Sequence, residues 1–166
     1  MLLAMHQNTS RAAGFRASLE GWARAGIQYV ELNERMLDGF LENDTLVGAR
    51  NLLSNLGLTP VSASAALPDL WLPGPAREAS LESWRQRCDQ FAELGLQKIY
   101  SPAITNRPVT AEDFAATPES IREVAVISSE YNLTCMIEFL RTSTHLATMT
   151  SALSMIRAAD HPNVRP

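Results

Sequence analysis

A signature that ends a helix and opens a strand occurs four times in this chain and constrains its fold more than any other feature. Each copy has a stop residue, an apolar residue, two variable positions and a β-prone residue, and the stops are Gly26, Gly57, Gly95 and Asn132. Glycine, and less often asparagine, adopts the left-handed conformation that closes a helix. The apolar run after each stop is typical of a buried strand.

The spacing of these stops indicates how the strands are arranged. The stops lie 31, 38 and 37 residues apart, and a fifth copy begins to form at Asn163-Val164. Each interval accommodates one helix, one strand and two loops. Because a crossover of this kind returns the chain to the same end of the sheet, neighbouring strands must be parallel. The pattern therefore predicts an α/β fold built on a parallel sheet.

The composition is that of a globular chain without the charge pattern of a nucleic-acid-binding protein. Of its 166 residues, 46% are hydrophobic and 19% charged, and the net charge is −4. Lys98 is the single lysine, and the arginines do not cluster. No apolar run approaches the roughly 20 residues of a membrane span, and Met1–Met5 is too short for a signal-peptide core. We therefore expect a cytoplasmic protein without nucleic-acid or membrane partners.

Local patterns predict five strands and the start of a sixth. The strands are expected at Met1–His6, Ile27–Leu32, Thr59–Ala65, Gln97–Ser101, Leu133–Phe139 and from Val164 onward.

Several connections and helix ends can also be placed. Gln7–Ser10 is expected to form a polar turn, and Asn33–Asn43 to contain a short extra helix. Leu67–Pro75 carries three prolines, which predicts a loop that is not buried. Asn43 or Asp44 is expected to cap the third helix. Thr117 is expected to cap a later helix that has Pro118 at its first position. The last helix is expected to use Leu146.

The long loops all follow strands, whereas the turns from helix to strand are short. The long segments are 33–43, 66–80 and 102–116. In a parallel (β/α)8 TIM barrel the functional loops are those that follow the strands. The glycine-rich GxGxxG and GxxxxGK[ST] motifs do not occur, which disfavours a nucleotide-binding fold. We therefore predict a TIM barrel, although five strands cannot close an eight-stranded barrel.

Glu138 is the sharpest candidate for a functional residue. It ends the apolar run of the fifth strand, on the same face as Thr134 and Met136. A carboxylate that faces a barrel interior is costly unless it is paired or bound to a metal. The alternative is a solvated glutamate that forms a loop salt bridge.

Other polar residues lie at the corresponding ends of earlier strands. Glu31 and His6 are candidates for substrate binding, with structural pairing as the alternative for each. Ser64, on the same face as Ser62, would leave room for a substrate or fill the interior. Trp71 would cover a pocket or pack locally in its loop.

Three further residues have positions that favour structural roles. His145 is expected at the start of a helix. His161 and Lys98 are expected at the end of the sheet opposite the functional loops.

Four segments in order resemble the xylose-isomerase-like TIM barrel superfamily, which includes sugar isomerases and epimerases. Ala25–Leu32 resembles its aGfdgvEl signature, and Leu56–Ser62 its third strand. Ile137–Leu140 resembles its fifth strand, and Asp160–Val164 the turn into its sixth.

This resemblance implies a divalent metal ion (Mg²⁺, Mn²⁺, Co²⁺ or Zn²⁺) and a reaction next to a carbonyl of a small sugar or sugar phosphate. The metal polarises substrate oxygens while a carboxylate moves a proton through an enediolate. Glu138 matches the carboxylate that binds the metal and acts as acid and base. Glu31 and His6 match positions near the substrate.

The chain also departs from the family pattern. The resemblance implies that the other metal ligands come from strands six to eight, whereas this sequence stops at Pro166. We expect residues 1–166 to be the N-terminal portion of a barrel, inactive alone, with exposed edges that favour association with a second copy. A catalytically silent fragment that self-associates or binds a partner is the alternative. An endonuclease IV-like phosphodiesterase would need histidines where Ser64 and Ser101 stand.

Overall fold

Six parallel strands form one sheet in the order in which they occur along the chain. The structure, a computed structural model, describes residues 3–165, so Met1, Leu2 and Pro166 of the predicted end strands lie outside it. The strands are β1 Ala4–His6, β2 Tyr29–Asn33, β3 Thr59–Ser64, β4 Lys98–Pro102, β5 Thr134–Glu138 and β6 Val164–Arg165. The sequential order and parallel pairing confirm the predicted barrel topology, with β1 and β6 at the edges.

Helices alternate with these strands. They are α1 Gly14–Arg24, α2 Glu34–Leu41, α3 Leu46–Asn55, α4 Arg77–Glu93, α5 Ala111–Glu130 and α6 Met149–Ala159, and a 3₁₀ segment spans Gln7–Ala13. The short extra helix expected between residues 33 and 43 is therefore present as α2. No helix within residues 3–165 combines the length and apolar character needed to cross a membrane.

The predicted helix stops adopt the left-handed conformation. The φ angles are 78° at Gly26, 66° at Gly57, 83° at Gly95 and 58° at Asn132. The fifth stop differs, because α6 ends at left-handed Asp160. Asn163 instead donates its side-chain amide to the carbonyls of Leu133 and Ala125, at 2.5 and 3.2 Å.

The hydrophobic core lies on one face of the sheet, beneath the helices. Val30, Leu32, Ile99, Cys135 and Ile137 point from the strands into this core. They pack with helix residues that include Leu19, Trp84, Phe91, Ile121 and Val124. Alternate positions on the strands turn toward the other face, which no further layer covers within the described chain.

The loop after β3 differs from its predicted character. Leu70, Trp71 and Leu72 are buried, so the expectation of an unburied loop is wrong. Trp71 packs edge-on against Trp84 of α4, with ring centroids 6.2 Å apart. The Ser80 hydroxyl donates to the Pro68 carbonyl at 2.7 Å, which satisfies one backbone carbonyl of this loop.

The start of α5 also corrects the sequence prediction. Thr110, and not Thr117, caps this helix: its side chain accepts from the Asp113 N–H while the Asp113 carboxylate accepts from the Thr110 N–H. Pro118 therefore lies inside the helix, where its ring removes the N–H that would bond to the Phe114 carbonyl.

Three other helix starts differ in detail. Gln7 is buried and opens the 3₁₀ segment in place of a polar turn. Thr45, and not Asn43 or Asp44, caps α3 by accepting from the Gly48 N–H at 3.0 Å. The last helix begins at Met149, so Leu146 lies in the preceding loop.

Replacement of the α5 cap tests this revised helix start. Thr110→Ala removes the hydroxyl that satisfies the Asp113 N–H, and we expect the free energy of unfolding to fall by about 1 kcal/mol. Urea unfolding followed by tryptophan fluorescence measures the change. Thr142→Ala is the control, because this exposed threonine has no side-chain hydrogen bond within residues 3–165 and its loss should cost less than about 0.5 kcal/mol. Equal effects of the two substitutions would contradict the assignment of Thr110 as the cap.

Candidate functional site

Polar side chains from the carboxyl ends of the strands converge on the open face of the sheet. His6 ends β1, Glu31 lies beside it in β2, and Ser62 is paired in register with Glu31. A bulge in the β2–β3 register between Val30 and Glu31 produces this last pairing. Next to them is a cleft of about 310 Å³, whose lining includes Glu31, Tyr100, Met136, Glu138, Phe139 and Met149.

Glu31 is the centre of the hydrogen-bond network in this region. The Tyr100 hydroxyl donates to Glu31 Oε1 at 3.1 Å, and the Ser62 hydroxyl donates to Oε2. His6 Nε2 lies 3.5 Å from Oε1. Three strands therefore direct polar atoms at a single carboxylate, which restrains its orientation.

The hydrogen bonds around His6 identify its protonated nitrogen. Nδ1 of His6 accepts from the Asn8 N–H at 3.0 Å, so the neutral ring carries its proton on Nε2. Nε2 lies 2.9 Å from the Tyr100 hydroxyl, whose own proton is directed at Glu31. His6 therefore donates a hydrogen bond to Tyr100, and Tyr100 donates one to Glu31.

Tyr100 is held as a neutral phenol. Burial raises its pKa above the ordinary value of 10, and the negative charges of Glu31 and Glu138 raise it further. A neutral hydroxyl can donate to Glu31 across the pH range in which the protein would work.

Glu138 differs from Glu31 because no other side chain within residues 3–165 forms a hydrogen bond with its carboxyl group. Although the side chain is exposed, the cleft partly desolvates it, and this desolvation raises the pKa of the carboxyl group. The charge of Glu31 raises the pKa further, and His6 acts in the opposite direction. A carboxyl group with a raised pKa and free oxygens is suited to proton transfer.

Ser64 lies in a buried network beneath this site. Its hydroxyl accepts from the Asn33 side-chain amide at 3.2 Å and donates to Glu34 Oε2 at 2.9 Å. Glu34 also accepts from the Ala66 N–H, and Gln7 accepts from the Asn33 N–H. The Ser64 hydroxyl is therefore hydrogen-bonded to Asn33 and Glu34, and Ser62 is the serine that contacts Glu31.

The remaining candidates lie apart from the cleft. Trp71 is buried against α4 and does not line the cleft. Lys98 begins β4 at the opposite end of the strand, and His161 lies in the turn before β6. His145 is buried in the loop after β5, where the Thr117 hydroxyl lies 2.9 Å from its Nε2.

Sequence reasoning overlooked Tyr100 and Glu34. Strand alternation applied to β4 places Tyr100 on the same side as Lys98 and Pro102, so this residue could have been found. Glu34 follows β2 at the start of α2, and nothing in its local sequence distinguishes it from a solvated glutamate at a helix start.

The described residues do not form a metal site by themselves. Hard divalent cations take several oxygen ligands in a defined geometry. Within residues 3–165 no group of three histidine, cysteine, aspartate or glutamate side chains is placed to hold one. Glu138, with free carboxylate oxygens, offers a single ligand.

Comparison with known proteins supports the barrel topology described above. A family model described as xylose isomerase-like TIM barrel matches residues 19–166. Among curated proteins, no sequence matches this chain.

Three solved structures are similar in fold. A xylose isomerase-like TIM barrel/4-hydroxyphenylpyruvate dioxygenase fusion protein has a TM-score of 0.85 and 19% identity over 97% of this chain and 25% of its own. The IOLI protein, with a bound zinc atom, has a TM-score of 0.85 and 16% identity over 99% of this chain and 61% of its own. D-psicose 3-epimerase in the presence of D-fructose has a TM-score of 0.80 and 20% identity over 99% of this chain and 62% of its own.

The present chain thus spans 25% to 62% of the length of these structures.

Removal of the Tyr100 hydroxyl tests the network around Glu31. Tyr100→Phe keeps the ring but leaves Glu31 Oε1 and His6 Nε2 without their shared partner, so we expect the free energy of unfolding to fall by about 1 kcal/mol. Tyr29→Phe is the matched control, because within the described chain this partly exposed hydroxyl makes no hydrogen bond. Urea unfolding of both variants gives the difference, and a smaller loss for Tyr100→Phe than for Tyr29→Phe would refute the network.

Proposed function

We propose that this chain, which belongs to the xylose isomerase-like TIM barrel family, contributes the ends of five strands to the active site of a sugar isomerase or epimerase. The observation that carries this proposal is the convergence of Glu31, Tyr100 and Glu138 on one cleft at the carboxyl edge of a parallel sheet. That edge is where TIM barrels hold their substrates.

Glu138 is the group proposed to move the proton. As a base it would remove the proton from the carbon next to a carbonyl, and the electron pair would pass onto the carbonyl oxygen to give an enediolate. Return of the proton to the neighbouring carbon, together with transfer of the hydroxyl proton from one enediolate oxygen to the other, completes isomerisation between an aldose and a ketose. Epimerisation would require a proton donor on the opposite face of the same carbon. The raised pKa of Glu138 supports this role, because it brings the carboxyl group closer to the neutral pH range.

Glu31 is proposed to bind the substrate by accepting hydrogen bonds from its hydroxyl groups. Tyr100 and Ser62 already restrain this carboxylate, so little orientation entropy remains to be lost on binding. Met136, Phe139 and Met149 provide an apolar wall in the same cleft. A small sugar has hydroxyl groups that can donate to Glu31 and C–H groups that can pack on the apolar wall. A D-psicose 3-epimerase is among the solved structures of similar fold.

A divalent metal ion, when bound, would supply the positive charge that polarises the substrate oxygens. Glu138 is the residue of this chain proposed to hold it, and the other ligands would have to come from outside residues 3–165. The zinc atom in the IOLI structure supports a metal in proteins of this fold.

Titration of the whole chain with Mn²⁺, followed by electron paramagnetic resonance of the free ion, tests the proposed role of Glu138 at a site that residues 3–165 leave incomplete. Because Glu138 offers a single carboxylate ligand, we expect weak binding that Glu138→Gln abolishes. Glu130→Gln, at the far end of α5, should leave the binding unchanged.

The outcome separates this function from its alternative. If the wild-type chain binds no Mn²⁺, or if Glu138→Gln binds it equally well, the function as stated is wrong for this chain. A catalytically silent module with two free sheet edges, β1 and β6, would then be favoured. Sedimentation velocity would show whether that module associates with a second copy.

A further inference from the structure

Three loops at the carboxyl edge of the sheet are hydrogen-bonded to one another. They follow β3, β4 and β5 and span residues 65–76, 103–110 and 139–148. The Asp69 N–H donates to the Ile104 carbonyl at 2.9 Å, which joins the first two loops. The Thr144 N–H donates to the Thr105 carbonyl at 2.9 Å, and the Thr144 hydroxyl to the Arg107 carbonyl at 2.6 Å, which join the last two.

Beneath these contacts a second set of side chains runs through the first turns of α5. Arg107 binds both carboxylate oxygens of Asp113, at 2.8 and 2.9 Å, and also donates to the Pro73 carbonyl at 2.9 Å. The Thr117 hydroxyl donates to the Asp113 carbonyl at 2.7 Å and meets His145 Nε2. A continuous path of polar contacts therefore connects the loop after β3 with the loop after β5.

His145 ends this path in a setting that suits only its neutral form. Its side chain is almost completely buried, and the Phe114 ring packs edge-on at a centroid distance of 4.6 Å. Because the Thr117 hydroxyl uses its one proton on Asp113, it must accept from His145, so the ring proton lies on Nε2. Nδ1 is then a bare acceptor, and it has no hydrogen-bond partner among the residues that the structure describes.

We propose that His145 is a proton-operated latch that holds the loop of residues 139–148 against the loop after β4 while the imidazole is neutral, and releases it when the ring is protonated. A second N–H at Nδ1 would be buried without an acceptor, and the positive charge would be buried with it. The ring leaves this setting most readily by displacement of its own loop, because α5 is fixed beneath it by the sheet.

The charges around His145 do not compensate for its burial. Burial lowers the pKa of the imidazole below its ordinary 6.5; Asp113 acts to raise it and Arg107 to lower it, and these two residues are themselves paired. The released ring regains an ordinary pKa near 6.5. The closed loop is therefore fully stable above that pH and loses stability as the pH falls below it.

The latch would act on the candidate site directly. Phe139, the first residue of this loop, and Met149, the residue that follows it in α6, form part of the apolar wall of the cleft beside Glu138. Release of the loop would open that wall while the strands remain paired. This inference does not depend on the reaction proposed above, since it concerns the shape of the cleft alone.

Amide hydrogen exchange between pH 7.5 and 5.0, corrected for intrinsic rates, tests the latch on the whole chain. We expect protection of the Thr144 and Leu140 amides to fall by up to about tenfold for each pH unit below 6.5. The Thr134 amide, which bonds to Gln97 between strands, should keep its protection. His145→Gln can still donate to Thr117 but cannot be protonated, so its loop should not respond to pH. His161→Gln should respond like the wild type.

Several results would overturn the proposal. These are unchanged loop protection in the wild type, an equal loss at Thr134, or a retained pH response in His145→Gln. If that variant does not fold, the ¹⁵N shifts of the wild-type imidazole decide: a proton on Nδ1 at pH 7.5, or loop opening that does not follow the titration of His145, contradicts the latch.

Discussion

The alternation of side chains along five parallel strands is the constraint on which both the core and the candidate site depend. On β2, Val30 and Leu32 face the helices while Glu31 faces the open side, and on β5 Cys135 and Ile137 alternate with Met136 and Glu138 in the same way. A shift of one residue would exchange these sets and bury two carboxylates in an apolar core, at a cost of several kcal/mol for each. The register that stabilises the fold is therefore also the register that assembles the cleft.

Within the cleft, the two carboxylates share a face but have different surroundings. Glu31 accepts from Tyr100 and Ser62, whereas the carboxyl group of Glu138 faces the cleft without a side-chain donor from the described residues. Desolvation beside a second negative charge raises the pKa of the Glu138 carboxyl group. The arrangement thus fixes the position of Glu31 and leaves Glu138 open to the cleft.

The parts of this molecule that repeat could be predicted from sequence, and the parts formed by tertiary contacts could not. The left-handed stops at Gly26, Gly57, Gly95 and Asn132 are local events, so the parallel order of strands was accessible from them. The convergence of His6, Glu31 and Glu138 followed from strand ends that share one edge. The helix start was wrongly predicted at Thr117 because Thr-Pro-Glu is typical of the first turn of a helix. The Thr110–Asp113 pair forms the cap instead. Burial of Trp71 depends on Trp84, 13 positions away, and no pattern within the loop reports that contact.

The two polar networks at the carboxyl edge differ in the elements that anchor them: one lies between paired strands and the other between loops. Gln7, Asn33, Ser64 and Glu34 are buried between β1, β2 and β3, and their bonds end on strand and helix backbone. The bonds from Thr144 to Thr105 and Arg107 join two loops, and His145 joins its loop to Thr117 of α5, so no strand pairing holds this segment once these contacts break. Breaking the first network exposes buried donors inside a paired sheet, while breaking the second frees a segment that water can solvate. In the proposed latch, the network around Glu31 therefore keeps its arrangement while the wall formed by Phe139 and Met149 is displaced.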